Sequence, residues 1–210
     1  MLSLACGMSY SGPRAVEGSG VLASQERALE EFSAIEIASF GDVYVTVGET
    51  QSVVVETDDN ILPLVETHVN GGKLVIRTKS NTSISPKLPV RVTVTVKSLE
   101  AASIRGSGNI TVKDVDADTF RIDLPGSGNI HVSGTTDRAT ISLKGSGNIQ
   151  SGDLQAQSVR VELDGSGEVT VYAEARLDAT IRGSGNIHYR GNPDDVNQSV
   201  PGSGNVSPVP

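Results

Sequence analysis

One four-residue phrase, Gly-Ser-Gly-Asn, returns at nearly constant spacing through the second half of the chain. Its copies begin at Gly106, Gly126, Gly145, Gly165, Gly183 and Gly202, and Glu168 replaces the Asn in the fourth. The steps between them are 20, 19, 20, 18 and 19 residues. A period of this size marks a solenoid, because one short coil cannot bury an apolar face alone and must lean on copies of itself.

Aligning the copies on their first glycine exposes the coil. Two residues before it stand Ile104, Leu124, Leu143, Leu163, Ile181 and Val200; four before it stand Ala102, Ile122, Ile141, Val161 and Ala179. Four after it stand Ile110, Ile130, Ile149, Val169, Ile187 and Val206; six after it come Val112, Val132, Val171 and Tyr189, with Ser151 breaking the row. Polar residues fill the places between. Alternation of period two, rich in β-branched residues, predicts two strands with a buried face on either side of a corner. The corner glycines (Gly106, Gly108, Gly126, Gly128, Gly145, Gly147, Gly165, Gly167, Gly183, Gly185, Gly202 and Gly204) are expected to supply positive φ. Stacked in register, Asn109, Asn129, Asn148, Asn186 and Asn205 form a ladder, pointing inward or outward, with Glu168 as its one substitution.

Residues 27–99 are less regular. Strand-like runs are expected at 34–38, 42–47, 53–57, 73–78 and 90–96, separated by Gly41, Gly48 and an Asn70-Gly71-Gly72 turn. Asp58-Asp59-Asn60 is placed to cap a short helical turn ahead of Pro63. Residues 79–89 read as the most mobile loop. An open solenoid end exposes core and unpaired edge groups, so this half is expected to supply early coils and a cover. The domain reading is therefore residues 1–25 as a signal remnant and flexible tether, then one all-β domain over 26–210. Within it, 26–100 are irregular coils and cap, and 101–208 are the regular coils.

In the tether, Leu4-Ala5-Cys6-Gly7 resembles the end of a bacterial lipoprotein signal, although Ser3 stands where an aliphatic residue is usual. Cys6 is thus a candidate lipid-attachment residue, with an incidental cysteine as the alternative. As the only cysteine it has no intrachain disulfide partner. The net charge of −8 argues against nucleic acid and anionic membrane surfaces as partners. No apolar run is long enough to span a bilayer.

The order of motifs resembles a known family. It runs from Gly18 to Val21, through Phe32 to Ile37, Gly41-Asp42-Val43 and Val53-Val54-Val55 with Asp58-Asp59-Asn60. Gly72-Lys73-Leu74 and the repeats follow. Over roughly residues 15–208 the chain resembles the head GIN domain of bacterial autotransporter-type adhesins. The resemblance implies a right-handed parallel β-helix, export to the periplasm, outer membrane or cell surface, and often a lipid anchor. It carries no catalytic or binding residues over, and fold analogy does not license an activity.

Catalytic and metal readings fare poorly on the residues. A phosphate-binding loop needs Lys-Ser/Thr at a helix start, whereas Asn-Ile (Glu168-Val169 in the fourth copy, Asn205-Val206 in the sixth) and a strand follow the Gly-Ser-Gly here. His131 and His188 share a repeat position but lie three coils apart, about 14 Å at the strand spacing, too far for one ion; His68 has no nameable partner. Glu162, Asp164 and Glu168 cluster on one coil, with Asp123 expected two coils below Glu162, which invites a glycosidase-like pair. Aromatic residues make up only 3% of the chain and the coils carry no insertions that would build a cleft. A solvated acidic face is the better reading. The expected function is a non-catalytic cell-envelope module for adhesion, scaffolding or protein docking. It needs no cofactor or metal, has an unidentified protein or glycan partner, and is able to self-associate. The alternative is a polysaccharide-binding or polysaccharide-cleaving β-helix.

Overall fold

The computed structural model describes residues 15–209. The chain is a β-solenoid of stacked parallel coils. Each regular coil passes along one sheet, turns at a Gly-Ser-Gly corner, and returns along the other. The early strands are β1 (Val16–Glu17), β2 (Leu22–Glu26), β3 (Ala34–Ile37), β4 (Phe40–Val47), β5 (Ser52–Asp58), β6 (Val65–Asn70), β7 (Lys73–Thr78), β8 (Ile84–Ser85), β9 (Arg91–Val96) and β10 (Ala101–Ile104). The long strands β11 (Ser107–Leu124), β12 (Asn129–Leu143), β13 (Asn148–Leu163) and β14 (Glu168–Ile181) each bend to serve both sheets. β15 (Asn186–Arg190), β16 (Asp195–Ser199) and β17 (Asn205–Pro208) finish the stack.

Register follows the repeat. Asn109, Ile110, Ile122 and Leu124 of β11 pair with Asn129, Ile130, Ile141 and Leu143 of β12, all in parallel. β13 continues the same rows with Asn148, Ile149, Val161 and Leu163. The inward rows form one aliphatic column: Ile104, Leu124, Leu143, Leu163 and Ile181 are each fully buried. Ser151, the break in its row, is also buried, and its hydroxyl donates to the Thr170 carbonyl at 2.9 Å. Val200 departs from expectation. It is 40% exposed, because no further coil lies over it among the described residues.

The corner glycines are required for a different reason from the one expected. None of them has positive φ; that conformation belongs to Gly20, Gly41, Gly71, Gly72, Gly134 and Gly191. The cause is close stacking. A Cβ on Gly126 would overlap the Gly106 carbonyl oxygen, and one on Gly128 would overlap that of Gly108. The same approach makes hydrogen bonds, since Ser127 N donates to Gly106 O and Ser146 N to Gly126 O. A side chain would push adjacent coils apart and break this row.

Uneven coil lengths are absorbed away from these corners. Asn109 pairs with Asn129, a step of 20, whereas Val115 pairs with Gly134, a step of 19; the shift falls between Val112 and Val115, where Asp114 takes φ 61°. The next two interfaces shift at the equivalent bend, after His131 and after Ser151, and the second of them shifts again between Ala156 and Ser158.

Antiparallel strands end both sheets at the N-terminal side. One sheet runs β6-β7-β3-β10 and on into β11, with β6 antiparallel to β7 through the Gly71-Gly72 turn. The other runs β2-β5-β9-β4 into β11, with β5 antiparallel to both β9 and β2. These hairpins reverse the chain at the N-terminal side, so the outermost strands there are β6 and β2 and not a further parallel coil.

Three expectations are corrected here. Residues from 16 onward, read as tether, are paired to the body through β1 and β2. Residues 79–89 are tied down by β8 pairing with β1 and by Lys87 and Leu88 N–H bonds to Asp58. Asp58 does not cap the 3-10 turn Leu62–Leu64, which has no side-chain cap. Its buried carboxylate is consumed by the backbone N–H groups of Gly20, Lys87 and Leu88, at 2.6, 2.9 and 3.0 Å. Asn60 likewise turns to the N-terminal segment, accepting from Ser19 N and donating to Glu17 O. Cys6 lies outside the described residues.

Candidate functional site

The Asn ladder runs along an outer corner with every rung exposed. In its first three steps Nδ2 donates to the Oδ1 of the rung before it: Asn148 to Asn129 at 3.1 Å, Asn129 to Asn109 at 2.9 Å, and Asn109 to Asp42 at 2.7 Å. At Glu168 the pattern changes, and its backbone N–H donates to Asn148 Oδ1 instead. Asp42 belongs to a further copy of the corner that lacks the Gly-Ser-Gly phrase. Ser107, Gly108 and Asn109 lie in register over Phe40, Gly41 and Asp42.

The acidic residues singled out in the sequence do not form a carboxylate cluster. Glu162 pairs with Arg160 at 2.9 Å and Asp164 with Arg182 at 3.0 Å; Glu168 Oε1 lies 3.3 Å from His188 Nε2. Asp123 does lie two coils from Glu162, through Ser142, but Arg121 grips it with two hydrogen bonds. The histidines fall as spaced: His131, Gln150, Thr170 and His188 are successive rungs of one row. His188 Nδ1 is 3.0 Å from Ser207 Oγ. Among the described residues no three His, Cys, Asp or Glu side chains gather where they could hold a metal ion.

What the structure brings together instead is a comb of paired charges on the outward side of the sheet containing β7, β3 and β10. Arg-X-Asp/Glu triplets recur there, at Arg121-Ile122-Asp123, Arg160-Val161-Glu162 and Arg176-Leu177-Asp178. Strand alternation puts both ends of each triplet on one side with an apolar residue inward. Exposed pairs of this kind contribute little to stability, because solvent screens them. Their effect is to hold side chains in place. The Arg176 hydrogen bond, aided by Asn197, keeps the Asp178 carboxyl below its ordinary range against burial.

At the N-terminal end of this sheet the comb encloses a depression of about 350 Å³. Its floor is short: Ala34, Ala101, Ser103 and Ser142. Its rim carries Lys73, Arg105, Arg121 and Lys144, with Glu36 and Asp123 between them. Glu36 is buried at 7% exposure and holds Lys73 Nζ at 2.7 Å and Arg105 Nε at 3.0 Å. Burial raises the Glu36 pKa, but the hydrogen bonds and charges of Lys73 and Arg105 outweigh it and leave the carboxyl below its ordinary value. Sequence reasoning missed this group. The triplets were visible signals, whereas Glu36, Lys73 and Arg105 meet only through the β7-β3-β10 register.

The family model described as "Putative auto-transporter adhesin, head GIN domain" matches residues 31–193. The chain belongs to the head GIN family. Solved structures resemble this head GIN chain along nearly its whole length. A putative adhesin from Bacteroides fragilis NCTC 9343 is 24% identical with a TM-score of 0.79, over 93% of this chain and 100% of that one. A putative lipid binding protein from Parabacteroides distasonis ATCC 8503 is 27% identical with a TM-score of 0.58, over 94% and 100%. A putative adhesin from Parabacteroides merdae ATCC 43184 is 22% identical with a TM-score of 0.58, over 93% and 99%. No curated protein matches the sequence. The head GIN fold is thus shared widely, while the rim residues stand on this chain's own geometry.

Proposed function

We propose that this head GIN chain is a non-catalytic module of a bacterial cell envelope that docks a protein or glycan on its charged sheet. The observation that carries this reading is the charge comb itself. Arg121 and Arg160 each occupy the acid two residues on, and Arg182 occupies Asp164 one coil below. A carboxylate whose oxygens are already taken up by a guanidinium is not presented to a substrate as a general acid or base. Rigid rows of preset polar groups suit contact instead. The names of the similar structures, adhesins among them, and the family's description accord with an envelope location.

The second reading, a polysaccharide-binding or polysaccharide-cleaving β-helix, draws support from the depression, which is wide enough for sugar-sized groups. A single experiment separates the two. The chain is applied to immobilised glycans and envelope protein extracts, and the solution is assayed for released oligosaccharides. Retention without product release supports the docking module; turnover of any glycan overturns it. Mass spectrometry of the protein recovered from membranes tests acylation at Cys6.

A further inference from the structure

We infer that the depression beside Glu36 binds an acidic glycan, a short saccharide stretch bearing carboxylate, sulfate or phosphate groups. This rests on the docking reading above and gives the ligand a chemical class.

The rim cations are placed before any ligand arrives. The buried Glu36 carboxylate brackets Lys73 and Arg105, and Asp123 fixes Arg121 through its Nε and one terminal nitrogen. Two of the five guanidinium N–H groups of Arg121 are spent in that grip, and the rest stay available. Side chains already held lose little freedom on binding. Lys144 completes the rim and has no acidic partner within ion-pair distance among the described residues. Four cations against two carboxylates give this place a positive excess in a chain of net charge −8.

Register sets the spacing. Lys73, Ala34, Ala101 and Arg121 lie on four successive strands, so the backbones that carry Lys73 and Arg121 stand about 14 Å apart at the usual strand separation, with the Lys73 ammonium drawn in toward Glu36. Arg105 and Lys144 flank Pro125 from either side, their backbones about 10 Å apart. Between them the short Ala101 and Ser103 side chains let a ring settle close to the sheet. These dimensions suit one or two sugar residues with their charges at the edges.

Other ligand classes fit less well. Among the described residues no aromatic side chain lines the depression, so stacking on a neutral sugar face or a nucleobase has nothing to work with. The exposed large apolar residues Val16, Val21, Leu22, Tyr44 and Val200 all lie outside it, so acyl chains find no entry there. A long nucleic acid would also meet the overall negative charge.

The test titrates the full chain with four probes at about 0.15 M salt, where weak surface charge effects are screened. They are oligogalacturonate, a sulfated chondroitin oligosaccharide, a neutral maltooligosaccharide of equal length, and single-stranded DNA; phosphatidylglycerol vesicles form a separate arm. One or both acidic saccharides are expected to bind, and Lys144→Glu to weaken that binding by on the order of tenfold or more. Lys113→Glu, a reversal at an exposed position on the other sheet, is expected to leave it unchanged. Equal binding of the neutral saccharide, equal loss in both variants, or stronger binding of DNA or vesicles would overturn the inference. So would silence from both acidic saccharides. A different glycan retained by Lys144→Glu would leave the docking reading standing while removing this one, whereas released product would remove the docking reading itself.

Discussion

Asn109 Nδ2 donates to Asp42 Oδ1 at 2.7 Å, and with that bond the amide ladder ends on a carboxylate. An asparagine both donates and accepts, so it can pass a hydrogen bond from one coil to the next; an ionised aspartate only accepts. A terminal rung has nothing of its own kind below it and needs only the acceptor. Asp42→Ala should therefore cost about 1 kcal/mol, and Asp42→Asn should recover most of it. Urea midpoints at constant m-value measure both; equal stability of all three proteins would show that the exposed ladder contributes nothing.

The Gly-Ser-Gly corner gives a sharper contrast. Gly128→Ala drives a methyl into the Gly108 carbonyl, which is backbone and cannot swing aside, and crowds the Ile104 side chain as well, so a loss of about 3 kcal/mol is expected. Ser127→Ala, exposed at the adjacent position, should be nearly neutral. Thermal unfolding of the two variants compares them directly. A stable Gly128→Ala would mean that the coils can separate at the corner without cost.

Equivalent repeat positions should differ in tolerance. Leu143 is fully buried between Leu124 and Leu163, and Leu143→Asp leaves an unpaired charge in the column, at about 3–5 kcal/mol. Val200 occupies the same repeat position but is 40% exposed, so Val200→Asp should melt close to the parent protein. A cooperative, unshifted melt of Leu143→Asp would deny the column.

Asp58 makes closure of the N-terminal segment pH-dependent. Burial raises its pKa, but N–H bonds from Leu88, Gly20 and Lys87 outweigh that and leave it depressed. A depressed carboxylate stabilises fully above its unfolded value of about 3.9, and the contribution is lost as pH falls through the lower folded value. Amide exchange at Gly20, Lys87 and Leu88 should be slow at neutral pH and lose protection in acid relative to the Ile141 and Val161 amides. Asp58→Asn offers one acceptor oxygen in place of two and should expose part of this set at every pH. Unchanged protection across the range would remove Asp58 as the clasp.

Much of this was legible in one dimension. Period-two alternation identified the buried column because a parallel stack repeats the same environment at each floor, so Ile110, Ile130 and Ile149 report one site several times. Isolated features were read less well. Asp58 looked like a helix cap because local sequence names the nearest available donors. Its true partners lie 38, 29 and 30 residues away along the chain. Glu36, Lys73 and Arg105 were silent for the same reason: nothing periodic links them, and the β6-β7 hairpin alone brings Lys73 alongside.

The amino-acid order determined that like residues would sit on like, which strands would alternate, and that small residues must occupy each corner. Tertiary structure decided why those corners need glycine, since the constraint is a neighbouring carbonyl and not a backbone angle. It also decided that the Asn row faces outward, and that coils of 18 to 20 residues keep their corners in register by shifting elsewhere along the strands. Those outcomes depend on distances between segments remote in sequence, and such distances exist only once the coils have stacked.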